Sequence, residues 1–89
     1  MIIMAEMSYY PLHDDFLQSI GDFIADLRAC EGVEVDTNAM STQLRGEFDA
    51  VTTAINHCMR QNLKAEVPAV LVVKYLNPGL DAGRATGPD

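Results

Sequence analysis

One segment decides the fold of this chain: Asp36-Thr37-Asn38-Ala39-Met40-Ser41-Thr42-Gln43-Leu44-Arg45-Gly46. Its first half predicts a tight turn, because Asn38 tolerates left-handed backbone angles and Asp36 can bond to its own main chain. Its second half alternates between an apolar and a polar side, the period-two pattern of a half-buried strand that ends at Gly46. The apolar side holds Met40, Thr42 and Leu44, and the polar side holds Ser41, Gln43 and Arg45. We therefore expect a hairpin here, with any functional site on its polar face.

The residues before this hairpin predict a strand, a helix and a second short strand. Residues 2–10 alternate, and Pro11 ends the strand because it cannot donate to a sheet. The core side of that strand is Ile3, Ala5, Met7 and Tyr9, and its other side is Ile2, Met4, Glu6, Ser8 and Tyr10. The helix begins at His13-Asp14-Asp15, where an acidic side chain can cap the free amides. Its apolar stripe is Phe16, Leu17, Ile20, Phe23, Ile24, Leu27 and Cys30.

The elements that follow complete a repeating order. Gly32 suits a left-handed position past the first helix, and Val33–Asp36 reads as the short strand that leads into the hairpin. A second helix is predicted over residues 47–62, with its inward side at Phe48, Val51, Ile55, Cys58 and Met59. Pro68 and Asn77-Pro78-Gly79 then bound a last strand, Ala69–Leu76. We expect one domain over residues 1–76 and a flexible C-terminal tail over 77–89, which lacks periodicity.

The order β-α-β-β-α-β predicts an α+β, ferredoxin-like sandwich with a four-stranded antiparallel sheet. Two helices cover only one face of such a sheet, so the other face must meet water, a ligand or another subunit. We call this the open face. It is predicted to hold Ile2, Met4, Glu6, Ser8, Tyr10, Ser41, Gln43, Arg45, Val70, Val72 and Lys74. This mixture of hydroxyl, amide and aliphatic groups is typical of a surface that is covered in use.

Charge and composition exclude several classes of function. The chain has 89 residues and a net charge of −7, with only six Lys and Arg. Nucleic acid binding is disfavoured, because it needs clustered cations to neutralise phosphates. No segment reaches the ~18–20 apolar residues that span a bilayer, and no secretory signal is present, so we expect a cytoplasmic protein without a membrane partner. Cys30 and Cys58 are too few for a metal or redox motif, and we expect buried reduced thiols.

The residue types that carry catalysis do not assemble into a motif. His13 and His57 have no acid or nucleophile at a fixed spacing, and there is no catalytic serine elbow, phosphate-binding glycine loop or zinc spacing. We therefore expect no enzymatic activity, no cofactor and no metal. The polar residues of the open face also have structural interpretations. Glu6 can pair with Arg45 or Lys74 across strands, and Ser41 and Gln43 can be ordinary strand residues.

Two motifs in this order resemble the YkoF-like thiamine-binding family. They are Ser8-Tyr9-Tyr10-Pro11-Leu12 after a strand, and Met40-Ser41-Thr42-x-Leu44-x-Gly46 before an amphipathic helix. The likeness runs over about residues 2–76. It implies a ferredoxin-like, non-enzymatic protein that binds thiamine or its hydroxymethylpyrimidine part and is linked to uptake or salvage of the vitamin. The YkoF type carries two such units in tandem, so the resemblance implies a homodimer or higher homo-oligomer that supplies the second unit.

The resemblance also gives a ligand to the polar face. A pyrimidine needs hydroxyl and amide partners and an apolar or aromatic wall. Ser8, Thr37, Ser41 and Gln43 can bond its ring nitrogens and amine, Tyr10 can wall the ring, and Glu6 or Asp36 can face the thiazolium cation. Two other functions stay open: an oligomeric interaction module without a small ligand, and a small dimeric ferredoxin-like barrel enzyme with His13 or a tyrosine as its acid-base group.

Overall fold

The computed structural model describes residues 1–63 and 68–78, which form six elements in the predicted order. The strands are β1 (Ile2–Pro11), β2 (Val33–Thr37), β3 (Thr42–Glu47) and β4 (Ala69–Leu76). The helices are α1 (Phe16–Arg28) and α2 (Phe48–Leu63). The predicted tail begins at Asn77, and its residues 79–89 lie outside the described residues.

The four strands form one antiparallel sheet in the order β2-β3-β1-β4, so the ferredoxin-like α+β fold is confirmed. In this sheet Glu6 of β1 lies opposite Gln43 of β3 on one side and Lys74 of β4 on the other. Asp36 of β2 in turn lies opposite Gln43. One row of polar residues therefore crosses all four strands on the open face.

The core lies between the sheet and the two helices. Its fully buried members come from β1, β3 and both helices: Ile3, Ala5, Met7, Phe23, Leu27, Leu44, Val51, Ala54, Ile55 and Cys58. Tyr9 joins this core, and its ring stacks on Phe23 with the ring centroids 4.7 Å apart. The core side predicted for β1 is thus confirmed, because strict alternation leaves each strand residue only one face.

The apolar stripes predicted for the two helices include residues that the structure leaves exposed. Phe16 and Leu17 are 47% and 74% exposed, since they lie in the first turn of α1 and its first fully buried position is Phe23. Phe48 and Met59 of α2 are also exposed, and Ala54 is buried instead. The buried residues of α2 follow the i, i+3, i+4, i+7 spacing from Val51. Apolar residues outside this spacing, such as Phe48, stay exposed.

Several strand boundaries also differ from the prediction, since β1 includes Pro11 and β2 extends to Thr37. β3 begins at Thr42, so Met40 lies outside it and is 85% exposed. Gly46 lies within β3, which continues to Glu47.

The helix-facing side of β4 is only partly covered. Leu71 and Val73 pack on the core. Tyr75 lies opposite the core residue Ala5 and so on the same side, yet it is 56% exposed.

Two local predictions are wrong: the acidic side-chain cap at the start of α1 and the left-handed conformation of Asn38. The Asp15 side chain makes no capping hydrogen bond at the start of α1. The Asp15 amide instead donates to Nδ1 of His13 at 3.2 Å. In the β2–β3 turn Asn38 does not adopt a left-handed conformation, because Gly32 alone has a positive φ (81°) among the described residues. Gly32 thus fulfils its prediction.

Gly46 provides a test of the packing between β3 and the start of β2. A Cβ added there would lie 2.5 Å from the carbonyl oxygen of Gly32, whereas one added to Gly21 of α1 would meet nothing within 4 Å. We expect Gly46→Ala to lower the free energy of unfolding by about 1–3 kcal/mol, as overpacking does. The control Gly21→Ala should raise it by about 0.5–1 kcal/mol, because glycine disfavours a helix interior. Urea denaturation measures both, and equal stabilities would contradict the close approach.

Candidate functional site

The turn between β2 and β3 forms one wall of a cleft at the end of the sheet. We call it the hairpin cleft; its volume is about 240 Å³. It is formed by residues 7–10 of β1, by Ile20, Phe23 and Ile24 of α1, and by residues 37–42 of the hairpin. The helix supplies an apolar wall, and the strand end and hairpin supply hydroxyl groups. Such a mixture suits a small ring with polar substituents.

The hairpin is held in shape by the Asn38 side chain. Its Oδ1 accepts hydrogen bonds from the amides of Met40 at 2.7 Å and Ser41 at 3.0 Å. The backbone N–H of Asn38 also donates to the carbonyl oxygen of Ser41 at 3.0 Å. This is the local side-chain-to-backbone bonding that asparagine favours in turns. The sequence indicates a role for the Asn38 backbone in the turn. It does not indicate that the Asn38 side chain positions Ser41.

A second, smaller depression lies on the open face beside β2 and β3. We call it the sheet cleft; its volume is about 230 Å³, and its side chains are Met4, Glu34, Asp36, Gln43 and Arg45. Arg45 donates to Glu34 at 3.3 Å. Its Nε is buried and has no hydrogen-bond partner among the described residues. Arg45 pairs with Glu34, so of the two partners predicted for Glu6 it is not the one observed.

The seven predicted site residues divide between these two clefts. Ser8, Tyr10, Thr37 and Ser41 line the hairpin cleft, and Asp36 and Gln43 line the sheet cleft. Thr37, predicted as a ligand contact, lies on the helix-facing side of the sheet. It lies opposite Thr42, whose side chain is buried on the helix-facing side, and the two hydroxyls are hydrogen-bonded to each other.

Glu6 lies between the two clefts and connects them. Its Oε2 accepts a hydrogen bond from the Ser41 hydroxyl at 3.1 Å, and its Oε1 lies 3.8 Å from the Lys74 ammonium. Gln43 of the sheet cleft is its direct neighbour across β3. The Glu6 side chain is 43% exposed, so the carboxylate is reachable from solvent. The prediction that Glu6 pairs with Arg45 or Lys74 is therefore confirmed through Lys74.

The residues missed in the sequence are the apolar ones of the hairpin cleft. Ile20 and Ile24 were assigned to the core, yet both stay partly exposed where α1 passes the hairpin. No sequence signal separates a half-buried helix residue from a buried one at the same spacing. Whether a helix residue lines the cleft or is fully buried depends on the distance between α1 and the hairpin.

His13 contacts two groups: its Nδ1 accepts a hydrogen bond from the Asp15 amide at 3.2 Å, and its Nε2 lies 2.9 Å from the Ser19 hydroxyl oxygen. His57 is exposed on α2. Within the described part of the chain, no group of three or more His, Cys, Asp or Glu side chains could hold a metal ion.

No helix among the described residues is long and apolar enough to cross a membrane. No curated protein matches the sequence. Similar solved structures include a hypothetical protein of Methanocaldococcus jannascii at 24% identity and TM-score 0.73, covering 85% of this chain and 79% of the other. A Streptococcus pneumoniae protein aligns at 22% identity and TM-score 0.76, covering 91% and 94%.

A third similar structure comes from Thermotoga maritima, where it is provisionally described as a thiamine biosynthesis or salvage protein. It aligns at 15% identity and TM-score 0.77, covering 97% of this chain and 98% of the other. At these identities the structures establish the fold alone. The family assignment comes from the sequence: the YKOF-related family matches residues 2–75, which is nearly the whole predicted domain. The chain therefore belongs to the YKOF-related family.

Proposed function

We propose that this protein is a non-enzymatic binder of a small cationic heteroaromatic molecule, thiamine or its hydroxymethylpyrimidine part, and serves uptake or salvage of that vitamin. The family membership and the description of the Thermotoga relative support the ligand class. The observation that carries the proposal is the Ser41–Glu6 hydrogen bond of 3.1 Å. It joins a ring-sized cleft to a carboxylate on the open face.

The hairpin cleft takes the pyrimidine ring in this proposal. The hydroxyls of Ser8 and Ser41 bond its nitrogens and amine, and the aromatic rings that line the cleft, Tyr10 among them, wall the ring. Thr37 is not a direct contact, because its hydroxyl is already bonded to Thr42. A ligand bond from Thr37 would leave the buried Thr42 hydroxyl without a partner, which costs about 1–3 kcal/mol.

The cationic part of the ligand lies toward Glu6 and Asp36. Lys74 is the only cation paired with Glu6 among the described residues, and its ammonium is 3.8 Å away with a side chain 75% exposed. A pair this open is weak, because solvent screens it. A ligand cation that approaches Glu6 more closely, in a site partly closed to water, gains more from the same carboxylate. The net charge of −7 adds a general attraction for cations.

Binding of this ligand can be tested by calorimetry on single-residue variants. Ser41→Ala should weaken both thiamine and hydroxymethylpyrimidine about tenfold, since one hydrogen bond of about 0.5–1.5 kcal/mol is lost together with part of the pairing of Glu6. Gln43→Ala should weaken thiamine by a similar factor. Glu6→Gln should weaken thiamine more than the uncharged pyrimidine, because it removes charge while keeping shape.

The matched control is Glu31→Gln, which removes one exposed carboxylate in the turn before β2, away from both clefts. It should leave both affinities unchanged. If Ser41→Ala, Gln43→Ala and Glu6→Gln all bind thiamine as the unchanged protein does, the site is not at these clefts. If neither compound raises the melting temperature of the unchanged protein at millimolar concentration, the ligand class is wrong.

We also propose that a second copy of this chain covers the open face. Large apolar side chains remain uncovered there: Ile2, Tyr10, Val70, Val72 and Leu76 are each 38–52% exposed. β1 and β4 pair over eight residues. At about 3.3 Å per residue and 4.8 Å per strand, the four-stranded face is roughly 500 Å² per copy. Two such faces approach the lower limit for a specific interface, roughly 1,000 Å² in total.

Each cleft is also small for a ligand of this class, since pockets for such molecules have volumes of about 300–1,000 Å³. A second copy over the open face would add a wall to the sheet cleft and exclude water from Glu6. The same apolar face supports the alternative function, an interaction module without a small ligand. Both functions include the dimer, so the oligomeric state does not distinguish them. Calorimetry does, because only the ligand-binding protein should bind thiamine or hydroxymethylpyrimidine.

Sedimentation of three proteins tests the assembly. The monomer mass is 9.7 kDa, and we expect the unchanged chain to sediment as a dimer or larger at micromolar concentration. Val72→Glu should shift it to the monomer, because it places an unpaired charge in an apolar interface. The control Leu17→Glu changes a residue that is 74% exposed on α1, away from the sheet, and should sediment unchanged. A monomeric unchanged chain would overturn the dimer.

A further inference from the structure

The outer edge of β4 has no neighbouring strand among the described residues. β4 stands at the end of the order β2-β3-β1-β4, so only its β1 side is paired. The other edge strand, β2, is five residues long and carries Glu34 and Asp36. β4 is eight residues long, has no internal proline, and is apolar apart from Lys74. Short length, charge and proline are the features that protect an edge strand from pairing, so β4 is the less protected edge.

Both faces of β4 are also incompletely covered. Val70 and Val72 on the open face are 46% and 42% exposed. On the helix-facing side Tyr75 is 56% exposed, and Leu71 and Val73 are only half-buried. An apolar strand that is open on both faces and along one edge can bury side chains and satisfy its backbone by pairing with another strand.

One hydrogen bond identifies the backbone groups that point to this free edge. Directly beyond the Pro11–Ala69 pair, the Leu12 amide donates to the Pro68 carbonyl oxygen at 2.9 Å, so these two residues form a hydrogen-bonded pair. Hydrogen-bonded and non-hydrogen-bonded pairs alternate in an antiparallel ladder, and the β1–β4 register is unbroken. Every second residue of β4 from Ala69 onward therefore turns its N–H and C=O away from β1. These outward residues are Ala69, Leu71, Val73 and Tyr75.

We propose that β4 of a second copy pairs with this edge in antiparallel orientation, about a two-fold axis at Val72, and joins two sheets into one. A two-fold contact is self-complementary, so the outward residues must face one another symmetrically. Leu71 and Val73 lie one residue from Val72, and Ala69 and Tyr75 lie three residues from it. Leu71 then pairs with Val73 of the second copy and Ala69 with its Tyr75, each pair exchanging two hydrogen bonds. A centre at Leu71 or Val73 would leave one outward residue beyond the end of the partner strand.

The side chains suit this register. Val72 lies directly opposite Val72 of the second copy on the open face. Tyr75 lies opposite the small Ala69 on the helix-facing side, so its exposed ring gains a neighbour. Lys74 lies opposite Val70, and the two copies of Lys74 are about 13 Å apart along the strands, so like charges do not meet.

The edge pairing is independent of the ligand and of the open-face contact, because it uses backbone groups that neither involves. It also enlarges the open face, since two joined sheets present roughly 1,000 Å² of continuous face. Two such double sheets packed face to face bury roughly 2,000 Å², at the upper end of the usual range for a specific interface. With both contacts the assembly holds four copies, at four times the chain mass of 9.7 kDa.

Disulfide cross-linking of the full chain tests the pairing. In Val72→Cys the two new thiols face each other across a non-hydrogen-bonded pair with Cα atoms about 4.5 Å apart, within the range of about 4.4–6.8 Å that a disulfide spans. The matched control is Val70→Cys, on the same face and similarly exposed. Its two copies lie about 13 Å apart along the strands and cannot be bridged. Sheets packed face to face are about 10 Å apart, so the open-face contact alone does not bridge position 72 either.

We expect oxidised Val72→Cys to form a covalent dimer on a non-reducing gel, at least about tenfold more than Val70→Cys in the same time. Peptide mapping should place the bond at position 72 and leave Cys30 and Cys58 as thiols. Equal cross-linking of the two variants would overturn the register. No cross-linking of either, the result expected if another segment of the chain covers this edge, would overturn the pairing.

A proline variant assigns the cross-link to the edge. Tyr75→Pro removes an outward N–H that β1 does not use, so the ladder within the chain stays intact. Combined with Val72→Cys it should abolish the cross-link, whereas Tyr75→Val, which keeps the N–H, should retain it. An undiminished cross-link in the proline variant would contradict the edge pairing. If Tyr75→Pro does not fold, the comparison of Val72→Cys with Val70→Cys still decides.

Discussion

The central strand β1 is the constraint on which the rest of the structure depends. It is hydrogen-bonded to β3 on one side and to β4 on the other, so its register is fixed from both edges. Alternation along it sends Ile3, Ala5 and Met7 into the core. The residues between them, Glu6 among them, must then lie on the open face. A slip of one residue would bury the Glu6 carboxylate and expose Met7, which fixes the register strongly.

The same register builds the candidate site. Glu6 meets Gln43 across β3 and Lys74 across β4, although these residues are far apart in the chain. Ser41 donates to Glu6 from the position directly before β3, where its own amide is bonded to the Asn38 side chain. The site thus depends on three local features: a strand register, a side-chain-stabilised turn and the passage of α1 beside that turn. None of them requires an unusual residue, which is why the site carries no conspicuous motif.

The two ends of α1 serve different purposes. Near its start, Ile20 and Phe23 form the apolar wall of the hairpin cleft. Just beyond its end, Cys30 packs against the core cluster. Leu27, which lies between these two regions, is fully buried, and close packing holds it in place.

The sequence by itself determined the order of the elements, the faces of β1 and the limits of β4, because each rests on alternation or on proline and glycine positions. It also placed Ser8, Tyr10 and Ser41 at one end of the sheet. Tertiary structure decided the pairing and burial of individual side chains, which local sequence patterns do not encode. Thr37 faces the helices and bonds Thr42, because β2 pairs with β3 in that register. Phe16 is exposed because a helix buries only the turns that reach the sheet, and burial depends on neighbours that are distant in the chain.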